Sequence, residues 1–163
     1  MIVVADSSPL RYLILIEEWR LLPLLFADIL TSPGVITELS QPDTPLPVRV
    51  WIERLPAWIA VRSPRMPLPS FPIQLGLGEC EAIALAEELS ADALLADDGA
   101  ARREASRRQI PVQGTLGILD LAAQNGFVEM PVALDKLLST NFRASRKLIQ
   151  FFLDRDARRT SSS

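Results

Sequence analysis

Five carboxylates stand out in this chain for where they fall. Asp6 ends the apolar run "IVVA", Asp97 and Asp98 end the apolar run "ALLA", Glu38 lies in the helical pattern "GVITELS", and Glu79 opens the helical pattern "GECEAIALAEEL". Like charges about 4 Å apart at an effective dielectric near 20 repel by roughly 4 kcal/mol per pair, so clustered carboxylates either bind a cation or take up protons. Oxygen-only ligands in a chain without histidine favour Mg2+ or Mn2+ over zinc. One or two such ions polarise a phosphodiester and lower the pKa of a bound water for in-line attack. The missing histidine also excludes Ser-His-Asp and Cys-His chemistry, which leaves carboxylates, hydroxyls, Lys, Arg and the single cysteine, Cys80.

Each acid taken alone has an ordinary alternative. Asp6 suits a turn, Glu79 suits the positive end of a helix, Glu38 suits a solvated helix face, and either Asp97 or Asp98 suits an N-cap. Jointly they are more specific, because two separate strand ends carry a carboxylate beyond what capping requires. After the first strand, Ser8 and Pro9 read as N-cap and first helical residue, so that helix does not need Asp6. Cys80 lies three and four residues before Ile83 and Ala84, a core position for a small apolar side chain, and it has no histidine to activate it. Trp19, Trp51 and Trp58 are possible platforms for bases, but their apolar contexts favour core or partner contacts.

The elements that must gather these acids alternate. Short apolar strands at 2–5, in "DILTS", at 58–62, in "ALLA" and in "IPV" are separated by helical patterns. These helices cover roughly 9–17, "EEWRLLPLLF", the segment opened by Ser32 and Pro33, "VRVWIERL", "GECEAIALAEEL", "DDGAARREASRR" and "GTLGILDLAAQNG". Strands alternating with helices predict parallel crossovers in one α/β sheet, with the ligand crevice beyond the carboxyl ends of the strands. The four prolines of "SPRMPLPSFPIQLGLG" exclude helix and central strand and mark a loop. "VALDKLLST" and "ASRKLIQFFLDR" are two last helices, before a frayed "RRTSSS" end.

The chain has 163 residues, 48% hydrophobic and 23% charged, which suits one soluble domain with a full core. Its longest apolar stretch, "LLPLLFADIL", is broken by Pro23 and Asp28, so no membrane span is expected. One cysteine and a start without a basic region predict a reducing cytoplasm. The net charge of −3 conceals an asymmetry: residues 1–98 carry 6 basic and 14 acidic side chains, residues 99–163 carry 11 and 6. An acidic focus beside a basic flank suits a metal site that handles a polyanion.

"VVADSSPLRYL", "ILTSPGVITEL", "LGLGECEAIALAEEL", "LLADDGAARREA" and "VQGTLGILDLAAQNG" resemble, in order and spacing, the PIN-domain proteins, in particular a prokaryotic subgroup close to the VapC-like toxins of toxin–antitoxin pairs. The resemblance covers residues 1–156 as a single domain, with 131–156 as C-terminal helices packed on it and 157–163 as a disordered tail. It implies a three-layer α/β fold, a central parallel sheet of order 3-2-1-4-5 flanked by helices, and a metal-dependent ribonuclease pocket at the carboxyl edge. Asp6 matches the family's first aspartate and is the implied central ligand. Glu79, with Glu81 as competitor, and Asp97 or Asp98 match the acids that complete the Mg2+ or Mn2+ shell, while Glu38 positions water or a second ion. Asp6, Glu38, Glu79 and Asp98 are the implied catalytic set, Ser7 and Thr115 line the pocket, and Arg102 and Arg103 hold substrate phosphates unless they form a solvated helix face. Implied partners are RNA, a small antitoxin protein and a second copy of the chain. The acidic overall charge departs from a strongly RNA-binding surface.

Other functions compete. A phospho-receiver domain needs an acidic pair after strand one and a late lysine, whereas this chain has a single Asp6 there and places Lys136 and Lys147 beyond the last strand. A catalytically degenerate PIN-fold module that binds a partner, or a nuclease acting on DNA or structured substrates, shares the same sheet.

Overall fold

A computed structural model describes residues Met1–Ser162. The apolar run Ile2–Ala5 forms β1, the middle strand of the sheet, where Val3, Val4 and Ala5 are fully buried. Burial on both faces is why this strand is continuously apolar rather than alternating. β2 (Asp28–Thr31) and β4 (Ala93–Leu95) flank β1, with β3 (Ile59–Val61) outside β2 and β5 (Val112–Gln113) outside β4. All four pairings are parallel, so the sheet has the predicted order β3-β2-β1-β4-β5. The order reverses direction between β1 and β4, which makes the crevice beyond their carboxyl ends the topological switch point. Register places Ala5 beside Leu95, and the Asp6 amide donates to the Leu95 carbonyl at 2.9 Å. The residues that follow these two strands therefore meet.

Helices α1 (Ser7–Leu15), α2 (Leu21–Leu25), α3 (Pro33–Leu39), α4 (Leu46–Glu53), α5 (Leu77–Glu88), α6 (Gly99–Arg107), α7 (Thr115–Gln124), α8 (Met130–Leu138) and α9 (Arg146–Ser161) flank the sheet. Leu10 and Leu13 of α1, Ile83 and Leu85 of α5, and Ile118 and Leu119 of α7 are buried with Leu94 and Leu95 of β4 in one core. Cys80 is buried with them, as its spacing predicts. The proline-bearing stretch 63–76 holds neither helix nor strand. It is pinned where the Arg108 guanidinium lies 4.5 Å over the Phe71 ring and where the Arg65 amide donates to Glu88. Trp19, Trp51 and Trp58 pack on one another with ring centroids 5.9–6.4 Å apart. Trp58 immediately precedes β3, so this cluster sits at the amino edge of the sheet, away from the acids. No helix among the described residues is long and apolar enough to cross a membrane.

Two local expectations change. α1 begins before Ser8: Asp6 is its N-cap and accepts from the Ser7 amide at 2.8 Å, while Ser8 is inside the helix and its hydroxyl donates to Asp97 at 2.8 Å. Pro9 fits in that first turn because its position needs no intrahelical donor. The C-terminal helix also outlasts its predicted end, since α9 continues to Ser161 through most of the expected tail. Asp120, 4% exposed on α7, explains the extension by accepting from Arg155 at 3.3 Å and from Arg159 at 2.8 Å. Ser163 lies outside the described residues.

Candidate active site at the carboxyl edge of the sheet

Asp6 is the buried centre of the site, only 2% exposed at the end of β1. Oδ1 takes the Ser7 N–H, and no donor among the described residues reaches the second oxygen. Desolvation pushes its pKa up to about 7, against the pull of the Ser7 hydrogen bond, and the charges of Glu79, Glu38 and Asp98 add to the rise. Glu79 is raised in the same way, by burial first and then by Asp98 and Glu38, with the Gly76 amide opposing. Acidic charges from separate segments thus bear on Asp6 and Glu79.

Glu38 and Glu79 reach this point because α3 and α5 cross closely. A methyl group on Gly78 would lie 3.1 Å from a Glu38 carboxylate oxygen and 3.3 Å from the α3 backbone, and one on Gly34 would lie 3.1 Å from the Gly78 Cα. Two glycines facing each other let the helices approach nearly backbone to backbone. The crossing forms a groove of about 410 Å³ lined by Glu38, Glu79 and Glu81. Glu81, the competitor of Glu79, has another task. Its carboxylate accepts from the Gly34 amide at 2.7 Å and satisfies a free N–H at the start of α3. Sequence reasoning missed both glycines, although an isolated glycine inside a helical pattern is a signal for close packing.

The pair after β4 separates likewise. Asp97 is a strut: it accepts from the Ser8 hydroxyl at 2.8 Å, the Thr115 amide at 2.7 Å and the Thr115 hydroxyl at 2.6 Å, tying α1, β4 and α7 together. Thr115 is fully buried and spends its hydroxyl on Asp97 rather than on an open pocket. Ser8, passed over as a mere cap, is the third member of this junction. Asp98 is exposed, caps α6 by accepting from the Ala101 amide at 3.0 Å, and is the one of the pair whose charge raises Asp6 and Glu79. Ser7 is buried beside Asp6. Arg102 donates to the Ala96 carbonyl at 3.1 Å, which holds its guanidinium against the end of β4, and Arg103 is exposed on α6 with its guanidinium reaching back to Gly99. Burial and the charge of Glu79 push the Cys80 thiol up, away from the reactive thiolate.

The donor set suits a hard divalent cation in kind: oxygen ligands, a buried carboxylate with a free oxygen, and mutual repulsion that a positive charge would relieve. In position it is looser, since among the described residues no three acidic groups are close enough to hold an ion as they stand. The reason is visible in their partners. Asp98 is turned to the α6 amides and Glu79 leans toward the Gly76 amide at 3.4 Å, so each has taken a backbone donor in place of a charged neighbour.

The model of DUF3368, a PIN domain family, matches residues 2–157. Among solved structures the chain is similar to a PilT N-terminus domain protein, SSO1118, from the hyperthermophilic archaeon Sulfolobus solfataricus P2, with 15% identity and a TM-score of 0.49 over 89% of this chain and 100% of that one. No curated protein matches the chain. PIN domains are generally nucleases and typically use divalent metals. With its matched length, its sheet order and its acids at the switch point, the chain belongs to the PIN domain family.

Proposed function

We propose that this protein is a Mg2+- or Mn2+-dependent ribonuclease that hydrolyses RNA phosphodiester bonds in the cytoplasm. In this reading it is the toxin of a toxin–antitoxin pair, forms a homodimer and is held in check by a small antitoxin protein. The observation that carries the catalytic part is Asp6, buried at the switch point and pushed up to about 7 by desolvation and by Glu79, Glu38 and Asp98. Asp6 and Glu79 would hold the cation, with Asp98 and Glu38 completing its surroundings directly or through water. When bound, a hard dication supplies charge to the phosphodiester and activates water for in-line attack. The chain's own groups orient the reactants. The Ser7 amide fixes one Asp6 oxygen and leaves the other for a ligand, Glu38 at the groove mouth positions water, and Arg102, held by the Ala96 carbonyl, offers a charged fork to an incoming phosphate. The toxin role is supported by the resemblance of the five sequence blocks.

The purified chain is to be tested with Mn2+, with Mg2+ and with chelator against single-stranded RNA, duplex RNA and single-stranded DNA. Metal-dependent cleavage of RNA, lost in Glu79→Gln, is the expected result. Cleavage in chelator, or by Glu79→Gln at the wild-type rate, overturns the site, and preference for DNA overturns the substrate. Growth arrest on expression, relieved by a small protein encoded alongside, tests the toxin role. A second reading, a degenerate module that binds a partner without catalysis, is favoured by the acids standing too far apart to share an ion as placed. It predicts no Mn2+ binding.

A further inference from the structure

A second and larger cleft, about 480 Å³, opens on the other side of Asp97, between β5, α7 and α9. Its composition is unlike that of the acidic groove. Phe142, Phe151 and Phe152 supply aromatic surface, and Arg102, Arg143 and Arg155 supply charge. Phe151 is 49% exposed and Leu148 beside it is 44% exposed, on a helix with no buried residue at all. Of the acids in the lining, Asp97 is engaged by Ser8 and Thr115, and Asp120 by Arg155 and Arg159. Among the described residues Arg102 bonds a backbone carbonyl and forms no ion pair, and the exposed Arg143 has neither a hydrogen bond nor an ion pair, so both guanidinium groups are open to a phosphate. Arg155 also lies 5.7 Å over the Phe151 ring. Asp97 and Arg102 bring the cleft to the end of β4, where Asp98 follows Asp97 in the chain. Gly114 leaves room for both side chains, since a methyl group there would lie 2.8 Å from the Arg102 guanidinium and 2.9 Å from Asp97.

We infer that this cleft is the subsite for unpaired nucleotides of single-stranded RNA next to the scissile phosphate, an inference that rests on the nuclease reading above. One base stacks on Phe151, and Arg102 and Arg143 receive the phosphates on either side of it. Exposed aromatic rings interleaved with unneutralised arginines are the surface that single-stranded nucleic acid requires, because every base has a π-face and every linkage a charge. A base-paired strand cannot offer its base to the ring.

Binding is to be read by fluorescence anisotropy of a labelled single-stranded oligoribonucleotide and of the same sequence as a duplex. Wild type, Phe151→Ala and Arg143→Ala are compared in chelator at several salt concentrations, with cleavage in Mn2+ measured in parallel. Phe151 and Arg143 are exposed, so both variants should fold, and circular dichroism checks this. Phe151→Ala is expected to weaken single-strand binding about tenfold with little change for the duplex, and Arg143→Ala to lower the salt slope by about one. Unchanged single-strand affinity in both variants overturns the subsite. So does a shift of Phe151→Ala from dimer to monomer in sedimentation with RNA binding intact, which would make the cleft a contact between copies. So does loss of antitoxin binding without loss of RNA binding. Failure of the nuclease reading looks different: binding then falls in the variants as expected, but no metal-dependent cleavage is found in the wild type.

Discussion

Neutralising Asp6 should make the metal-free protein less sensitive to pH, and the size of the effect can be worked from its surroundings. The carboxyl titrates near 3.8 when free and at about 7 in the fold. Between those values the folded state keeps a proton that the unfolded chain has released, so stability falls as pH rises, by about 1.4 kcal/mol per pH unit. The loss begins above pH 4, is complete by about pH 7 and amounts to about 4 kcal/mol in all. In a domain of this size that corresponds to roughly 10 °C in Tm. Asp6→Asn keeps the shape and the oxygen that accepts from the Ser7 amide, and it removes the titration. A buried amide group without a partner costs about 1–3 kcal/mol, but at every pH equally, so it cancels from the pH dependence. Urea or thermal melts of both proteins in chelator from pH 4.5 to 8 give the difference directly. The wild type should lose stability relative to Asp6→Asn steadily up to neutrality and then run parallel to it. Curves parallel over the whole range would show that Asp6 is not held near neutrality by its surroundings, and the electrostatic argument for the site would go with it.

The other acids should separate into struts and site members. Asp97→Ala strands the buried Thr115 amide and hydroxyl and should cost about 3 kcal/mol with or without metal. Asp98→Asn keeps a good N-cap and removes repulsion, so the apo protein should melt at the same temperature or higher while its Mn2+ response shrinks. Glu81→Ala should lose about 1 kcal/mol with the Gly34 amide contact and retain the full Mn2+ response, whereas Glu79→Gln should lose the response. Gly78→Ala wedges α3 from α5 and should cost about 1–3 kcal/mol and weaken Mn2+ binding by displacing Glu38, read in the same melts.

The sheet was legible from the chain because its strands are short, apolar and separated by helices, and a buried parallel sheet has few other ways to appear in sequence. That Asp6 and the Asp97–Asp98 pair share one edge followed from that sheet, since the ends of β1 and β4 lie side by side. Asp97 against Asp98 and Glu79 against Glu81 were not legible, because the two members of each pair are neighbours on the same element and each is locally acceptable. Remote partners separate them: the Thr115 amide holds Asp97 and the Gly34 amide holds Glu81. The start of α1 is not legible for the same reason, as the group that engages the Ser8 hydroxyl, Asp97, is remote in the chain. The polar composition of the C-terminus reads as a frayed end, and only the long-range pairing of Arg159 with Asp120 shows why α9 continues.

The central claim is that Asp6 and its acidic neighbours bind a divalent cation, and Mn2+ binding followed by electron paramagnetic resonance tests it without needing a substrate. Mn2+ is titrated into metal-free wild type and Asp6→Asn at neutral pH while the signal of the free ion is read. The wild type is expected to remove Mn2+ from the free pool in proportion to protein until its sites are filled, and Asp6→Asn to leave most of it free. Equal uptake by the two proteins, or no uptake by the wild type, would contradict it.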